Sequence, residues 1–377
     1  MRKIFAIAGL GLVITAISCS KSSDSTPGGG VVTPPPAPKT AAIKLSKDTI
    51  ENNGFESVTI SVFDSLGNDI TATSIISINN VQQKSNIFYP TTTGSYLISA
   101  KSSAQNIPDK NLIVVTPAPS PYIQKVLVED VTGMWCGYCP RVAFEGEDYI
   151  KTHPECIMVA EHCDDNGGAS ADTYSYQYIS KLNSAFGVTG FPTAVINRTG
   201  STRDVSGTVL PKATGTWAAL GMSITSDTST AGTISGKVKV KFNVTSAIPM
   251  NISIMLVESK LYGNQENYYD DSTAQPYYGT NPIANFEYKN VLRKVLSTNV
   301  FDGDTLSTSA IVKNNVYEVP FSFTTAGRTS FGGSFTAIPS NCSIIAFVTY
   351  NKANTLSKKG VINVQYANAG TTIDFIQ

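Results

Sequence analysis

Neither sign of charge is in excess: 28 Lys plus Arg face 28 Asp plus Glu, a formal net charge of zero at pH 7. Such a surface has no surplus cations with which to neutralise phosphates or hold an acidic membrane face. Nucleic-acid binding is therefore excluded as a function class. Beyond the N-terminal leader, no stretch approaches the roughly 18 unbroken apolar residues of a membrane-spanning helix. Any membrane attachment must then come through the N-terminus. No internal repeat of fixed period is visible, and no cofactor is expected.

What is present begins with length. The 377 residues, 41% hydrophobic and 15% charged, hold two or three domains at roughly 100 to 200 residues each. Arg2 and Lys3 precede an apolar run from Ile4 to Ile17 and then small or polar residues, the pattern of a secretory signal peptide over 1–18. Ala16-Ile17-Ser18-Cys19 resembles a bacterial lipobox, in which the cysteine becomes the first, lipid-linked residue of the mature protein. It departs from that pattern in lacking Leu at its first position and in carrying Ile17 where a small residue is usual. The alternative is ordinary cleavage after Ser18 and a soluble periplasmic product. The Ser, Gly and Pro-rich stretch that completes 19–40 cannot pack and reads as a tether; a tether favours lipidation at Cys19.

Residues 41–116 alternate apolar and polar positions in short runs broken by turn residues, as in Ser57-Val58-Thr59-Ile60-Ser61-Val62-Phe63 before Gly67-Asn68-Asp69. That spacing predicts an all-β sandwich, and the segments Asp64–Thr71 and Gly94–Ala100 resemble bacterial immunoglobulin-like modules. Prolines between Pro117 and Pro121 mark a boundary. Over 122–215 strands and helices alternate: a strand over Ile123–Val131, a helix over Pro140–His153 with Val142, Phe144 and Tyr149 at helical spacing, a strand over Ile157–His162, one or two helices over Ala171–Phe186 and a strand over Thr193–Asn197. The βαβ unit implies parallel strands. From 216 to 377 the pattern returns to β. In Gly236–Val244 the lysines 237, 239 and 241 face one side and Val238, Val240 and Phe242 the other, as a half-buried strand requires. A Tyr and Asn-rich stretch from Tyr262 to Tyr288 interrupts this domain; its aromatics, among them Tyr268, Tyr269, Tyr277, Tyr278 and Phe286, either form a ligand or partner patch or simply cover the sandwich.

Chemistry concentrates at Cys136-Gly137-Tyr138-Cys139, between a predicted strand and a predicted helix. A Cys at a helix N-terminus faces unpaired N–H groups and the positive end of the helix dipole, which stabilise its thiolate. Cys136 is the candidate nucleophile and the more exposed thiol. Cys139, one turn on and screened within the helix, is placed to resolve a mixed disulfide, and Pro140 suits a first turn whose N–H groups lack helical partners. The competing readings are a static disulfide and a zinc knuckle. Zinc would need Cys156 and Cys163 as a second pair, yet these bracket a strand of roughly 23 Å at about 3.3 Å per residue, too far apart to share a metal or a disulfide. Cys163 is either a third redox thiol or a buried free cysteine, and His162 a proton shuttle or a hydrogen-bonded strand-end residue.

Trp135 beside the pair, Asp130 upstream on the strand and Gly190-Phe191-Pro192-Thr193 opening a later strand resemble thioredoxin-fold proteins. That resemblance implies a cis bond before Pro192, packing against the disulfide, and a buried acid at Asp130, or at Glu129 on the opposite face of the strand. The run Val126–Arg141 and the later Asn285-Phe286-Glu287-Tyr288-Lys289-Asn290-Val291-Leu292-Arg293 resemble a family related to the twenty-eight-kilodalton outer-membrane protein of anaerobic Gram-negative bacteria. This implies a thioredoxin-like domain followed by a β-sandwich on an outer-membrane lipoprotein, with adhesion suggested for some members. The expected architecture is thus multidomain: an N-terminal Ig-like sandwich, a central α/β thioredoxin-like domain and a C-terminal all-β sandwich. Two functions follow. One is envelope thiol-disulfide exchange through Cys136 and Cys139, with Pro192 and Asp130 in support and protein thiols or disulfides as partners; the other is a surface interaction or adhesion protein that keeps the same fold as a scaffold.

Overall fold

The computed structural model describes residues 40–102, 105–164, 172–203, 217–269, 279–352 and 359–375. Cys19, the leader and the tether lie outside these residues, as do Tyr277 and Tyr278. The described chain from Thr40 onward is one compact unit, mostly β, with several sheets and two α-helices. Neither helix is long and apolar enough to cross a membrane.

Alternation does its work first in the N-terminal stretch. A three-stranded sheet (Ala42–Leu45, Val58–Phe63, Ile87–Phe88) and a five-stranded sheet built around Gly94–Lys101 and Lys110–Val115 enclose Val58, Ile60, Val62, Ile98 and Leu112. This sandwich touches the rest of the unit through Phe55, whose ring stacks on Tyr350 at 5.7 Å, and through an ion pair between Lys313 and Glu51.

A nine-stranded sheet organises everything else. Its order runs Gly200–Thr202, Thr193–Ile196, Val126–Thr132, Cys156–His162, Val291–Val295, Met250–Glu258, Cys342–Tyr350, Val361–Asn368, with Asp304–Thr305 pairing alongside Met250–Glu258. Val126–Thr132 runs parallel to Cys156–His162 and antiparallel to Thr193–Ile196. The stretches that the sequence sets apart as α/β and as all-β are joined in this sheet by the parallel pair Ala160 and Val291, with Ala160 N–H donating to Asn290 O at 2.9 Å. On one face, Leu127, Val131 and Val159 from one half and Met255, Val257 and Phe347 from the other form a common core beneath helix α2 (Ile179–Phe186). On the opposite face, the four-stranded sheet of Val316–Thr324, Thr233–Phe242, Leu220–Asp227 and Thr372–Ile373 covers the C-terminal half. There Val238, Val240 and Phe242 are buried, while Lys237 and Lys239 on the outer face pair with Glu318.

Helix α1 (Pro140–Thr152) covers the other half of that face. Its contact side is lighter than expected: Pro140, Val142 and Gly146 are buried, and Phe144 and Tyr149 only partly. A Cβ on Gly146 would come within 2.5 Å of Met158 Sδ. The missing side chain lets the helix lie close on the strand that carries Met158.

Candidate functional site

The Val126–Thr132 strand is buried at every position, because it sits inside the sheet with covered faces on both sides. Past its end, the chain turns through Gly133 and enters α1. Cys136 N–H donates to Gly133 O at 3.0 Å and Cys139 N–H to Cys136 O at 3.1 Å. Cys139 is the residue before the helix, and Pro140 occupies the first turn, where its missing N–H removes no helical hydrogen bond. These turns bring the sulfurs together: Cys136 and Cys139 are joined in a disulfide with Cα atoms 5.4 Å apart. The Phe191–Pro192 bond ahead of the antiparallel neighbour strand is cis. Trp135 spans the other face, its Nε1 donating to Cys163 O at 2.9 Å and its ring meeting Phe191 edge-on at 5.1 Å.

Cys136 is the more exposed of the two cysteines, as expected, but only narrowly, since both are buried. Cys136 is 4% exposed and Cys139 1%. The cause is a strap, Gln265–Tyr269, that the Tyr-rich stretch lays along the turn. Glu266 N–H donates to Met134 O and Tyr268 N–H to Gly137 O, both at 2.8 Å. Gln265 Nε2 donates to Gly133 O at 3.2 Å and to Cys136 O at 3.0 Å. The Tyr268 ring lies so close over Gly137 that a Cβ there would stand 2.3 Å from it. Tyr138 meets Tyr268 and Tyr269 edge-on, and Tyr269 Oη donates to Tyr138 O while accepting from Arg141 Nε at 3.0 Å. The stretch was visible in sequence as a long aromatic insertion; its target was not, because nothing local ties residue 268 to residue 137.

Asp130 lies in register with Ala160 and Ala194 on the α1 face of its strand. It is 1% exposed, and its Oδ1 has no hydrogen-bond partner among the described residues. Burial alone lifts its pKa from the usual carboxylate range to about 8. Asp130 and Cys139 line the same cavity of about 270 Å³, bounded by α1, the Cys156–His162 strand and the Ile283–Tyr288 strand. Glu129 points to the opposite face, where Arg198 clasps it: Arg198 Nε donates to the two Glu129 carboxylate oxygens at 3.1 and 2.9 Å, and Nη2 also bonds Oε1. The acid facing α1 and the cavity that Cys139 lines is thus Asp130, not Glu129.

His162 is buried at the strand end, with Nδ1 2.8 Å from Asp172 Oδ2. Asp172 also accepts from the N–H groups of Met134 and Tyr174, each at 2.8 Å, so it ties the cysteine turn to the chain that follows the strand. The three remaining described cysteines are free and buried. Cys163 Sγ donates to Thr132 O at 2.9 Å, and burial pushes its thiol far up. The thiols of Cys156 and Cys342 are pushed up to about 12 by burial. Thiols so held are poor nucleophiles.

These features define a mostly β protein that carries a CxxC disulfide at a helix N-terminus, past the end of an interior strand of a large mixed sheet. The model of the family described as outer membrane protein Omp28 matches residues 179–373, more than half of the chain, and the chain belongs to that family. The matched stretch holds α2, Pro192 and the strap, and begins after the cysteine pair. Among solved structures, HBP35 of Porphyromonas gingivalis is similar at 16% identity and a TM-score of 0.46, over 66% of this chain and 76% of that one. No curated protein matches the chain.

Proposed function

We propose that this Omp28-family protein is an envelope lipoprotein, anchored through Cys19, whose thioredoxin-like module carries out thiol-disulfide exchange at Cys136 and Cys139. The observation that carries the reading is Asp130: a buried carboxyl with a pKa of about 8 on the cavity that Cys139 lines. A strand running parallel to its βα partner and antiparallel to a cis-proline strand supports the thioredoxin-like assignment. In the exchange step, a substrate thiolate attacks Cys136 Sγ, the Cys136–Cys139 bond breaks, and Cys139 leaves as a thiolate. Asp130, protonated at neutral pH, supplies the proton to Cys139; a second substrate thiolate then attacks the substrate sulfur of the mixed disulfide, the substrate–Cys136 bond breaks and Cys136 leaves as a thiolate, so that the substrate pair is oxidised and the cysteine pair reduced. In the reducing direction the steps run backwards, and the Asp130 carboxylate takes the Cys139 proton as Cys139 attacks Cys136 Sγ and releases the substrate thiolate. When the reduced pair forms, the helix N-terminus stabilises the Cys136 thiolate.

The strap favours a second reading, a surface interaction module that keeps the disulfide as a staple, since both cysteines are buried and Gln265–Tyr269 is hydrogen-bonded along their turn. One experiment separates the two. Under the exchange reading, Cys139→Ser traps partners as mixed disulfides through Cys136, Cys136→Ser traps none, and the midpoint potential lies within reach of envelope reductants. No trapped partner and a potential too low for those reductants assigns the pair to the staple. Acyl mass on the N-terminal peptide tests the anchor, and an unmodified Cys19 in a soluble fraction refutes it.

A further inference from the structure

The cavity beside Asp130 has a composition that thiol exchange does not require. Its walls are apolar: Ala143 and Ile150 from α1, Met158 and Ala160 from the neighbouring strand, and Phe286 from across the gap. Its rim is charged and tied, with Lys289 Nζ 2.6 Å from Glu147 Oε2. Of the polar groups inside, His162 Nδ1 is bonded to Asp172, and Gln265 Nε2 is spent on the backbone oxygens of the cysteine turn. Among the described residues, Asp130 Oδ1 is left as a buried acceptor without a donor. Native proteins rarely leave such a group unpaired, and each case calls for a partner.

We infer that this cavity binds a small, largely apolar molecule whose single polar end donates a hydrogen bond to Asp130. Size sets the class. An apolar cavity of about 150 Å³ holds benzene, so about 270 Å³ holds a ligand of roughly ten non-hydrogen atoms, a substituted aromatic or branched alcohol. The polar end is a neutral hydroxyl or amide, because Asp130 keeps its proton below about pH 8 and a neutral acid gives no ion pair to offset the desolvation of an ammonium. Binding needs no thiol chemistry and holds whether Cys136 and Cys139 exchange or only staple.

The probes are 2-phenylethanol and propylbenzene, which differ in one terminal group, titrated by calorimetry into the full chain at pH 7. The expected result is that 2-phenylethanol binds at least fivefold more tightly than propylbenzene. The preference should vanish in Asp130→Leu and persist in Asp130→Asn, and Ala143→Phe should remove binding of both probes. No binding of either probe, equal binding of the two, or an unchanged preference in Asp130→Leu overturns the inference. Unchanged affinity in Ala143→Phe overturns the location. Should Asp130→Leu not fold, the wild-type ratio and the Ala143→Phe result decide.

Discussion

Glu129 and Asp130 leave one strand on opposite faces of the large sheet, and the two faces treat a carboxylate differently. Glu129 is fully buried against Arg198, itself 3% exposed by side chain, and the guanidinium lies over the rings of Phe301 and Phe347 at 4.9 and 4.6 Å. Glu161, next to this pair, is pushed well above the usual carboxylate range, first by burial and then by the Glu129 charge. Asp130 forms no ion pair among the described residues and lines a cavity instead. On one face Glu129 is paired with a cation, with Glu161 buried beside the pair; on the other Asp130 is buried without an ion-pair partner among the described residues. The paired arrangement is structural, and the unpaired one is where proton transfer or ligand contact has an unfilled site to use.

The comparison breaks most sharply at Arg198. Arg198→Met keeps the bulk over the phenylalanine rings and removes the cation, leaving Glu129 and Glu161 buried together. A loss of about 3–5 kcal/mol in urea unfolding is expected. A loss below about 1 kcal/mol would remove the contrast between the faces.

Asp130→Asn should act in the opposite sense, on the order of a few kcal/mol and with a pH signature. In the unfolded chain an Asp titrates near about 4, whereas folded Asp130 holds its proton to about 8. Its contribution to stability is whole below the unfolded value and is lost as pH rises toward the folded one, because over that window the unfolded state binds fewer protons. Asp130→Asn should thus become progressively more stable than the wild type between about pH 4 and pH 8, with no further divergence above. Parallel stability-pH curves for the two proteins would show that Asp130 is not a proton store.

A smaller effect tests the strap on the Asp130 side. Tyr268→Ala uncovers Gly137 and Cys136, and reduction of the disulfide by a small thiol should accelerate about tenfold, a barrier change of about 1.4 kcal/mol. An unchanged rate means that the ring does not limit access. Smallest of all is Cys163→Ala on the Glu129 side. It removes one thiol-to-carbonyl hydrogen bond and little volume, so a loss of about 1 kcal/mol is expected, with the midpoint potential of Cys136/Cys139 unmoved. A shifted potential would bring Cys163 into the redox site.

Particular residues show how far the sequence reaches. Alternation places Glu129 and Asp130 on opposite faces before any fold is known, and the strand, turn and helix around Cys136 and Cys139 follow from local pattern and from Pro140. That Cys156 and Cys163 do not bond each other follows from their separation along a strand; that both are buried and free does not. The partner of Glu129 does not, since Arg198 reaches it only because the Thr193–Ile196 strand pairs antiparallel beside it. The choice of Asp130 as the acid on the cavity side likewise waits on which face α1 covers.

The sequence by itself determined the local elements: the leader pattern, the β alternation, the CxxC at a helix start, and a chain with no charge surplus for nucleic acid. These depend on periodicities of two and 3.6 residues and on the chemistry of neighbours. Only the tertiary structure decided that one sheet runs through both halves, joined at Ala160 and Val291, that Tyr268 lies over Gly137, and that a cavity lies behind Cys139. Each is a contact between segments far apart in the chain, set by packing and register, and no local pattern encodes which distant segment meets which.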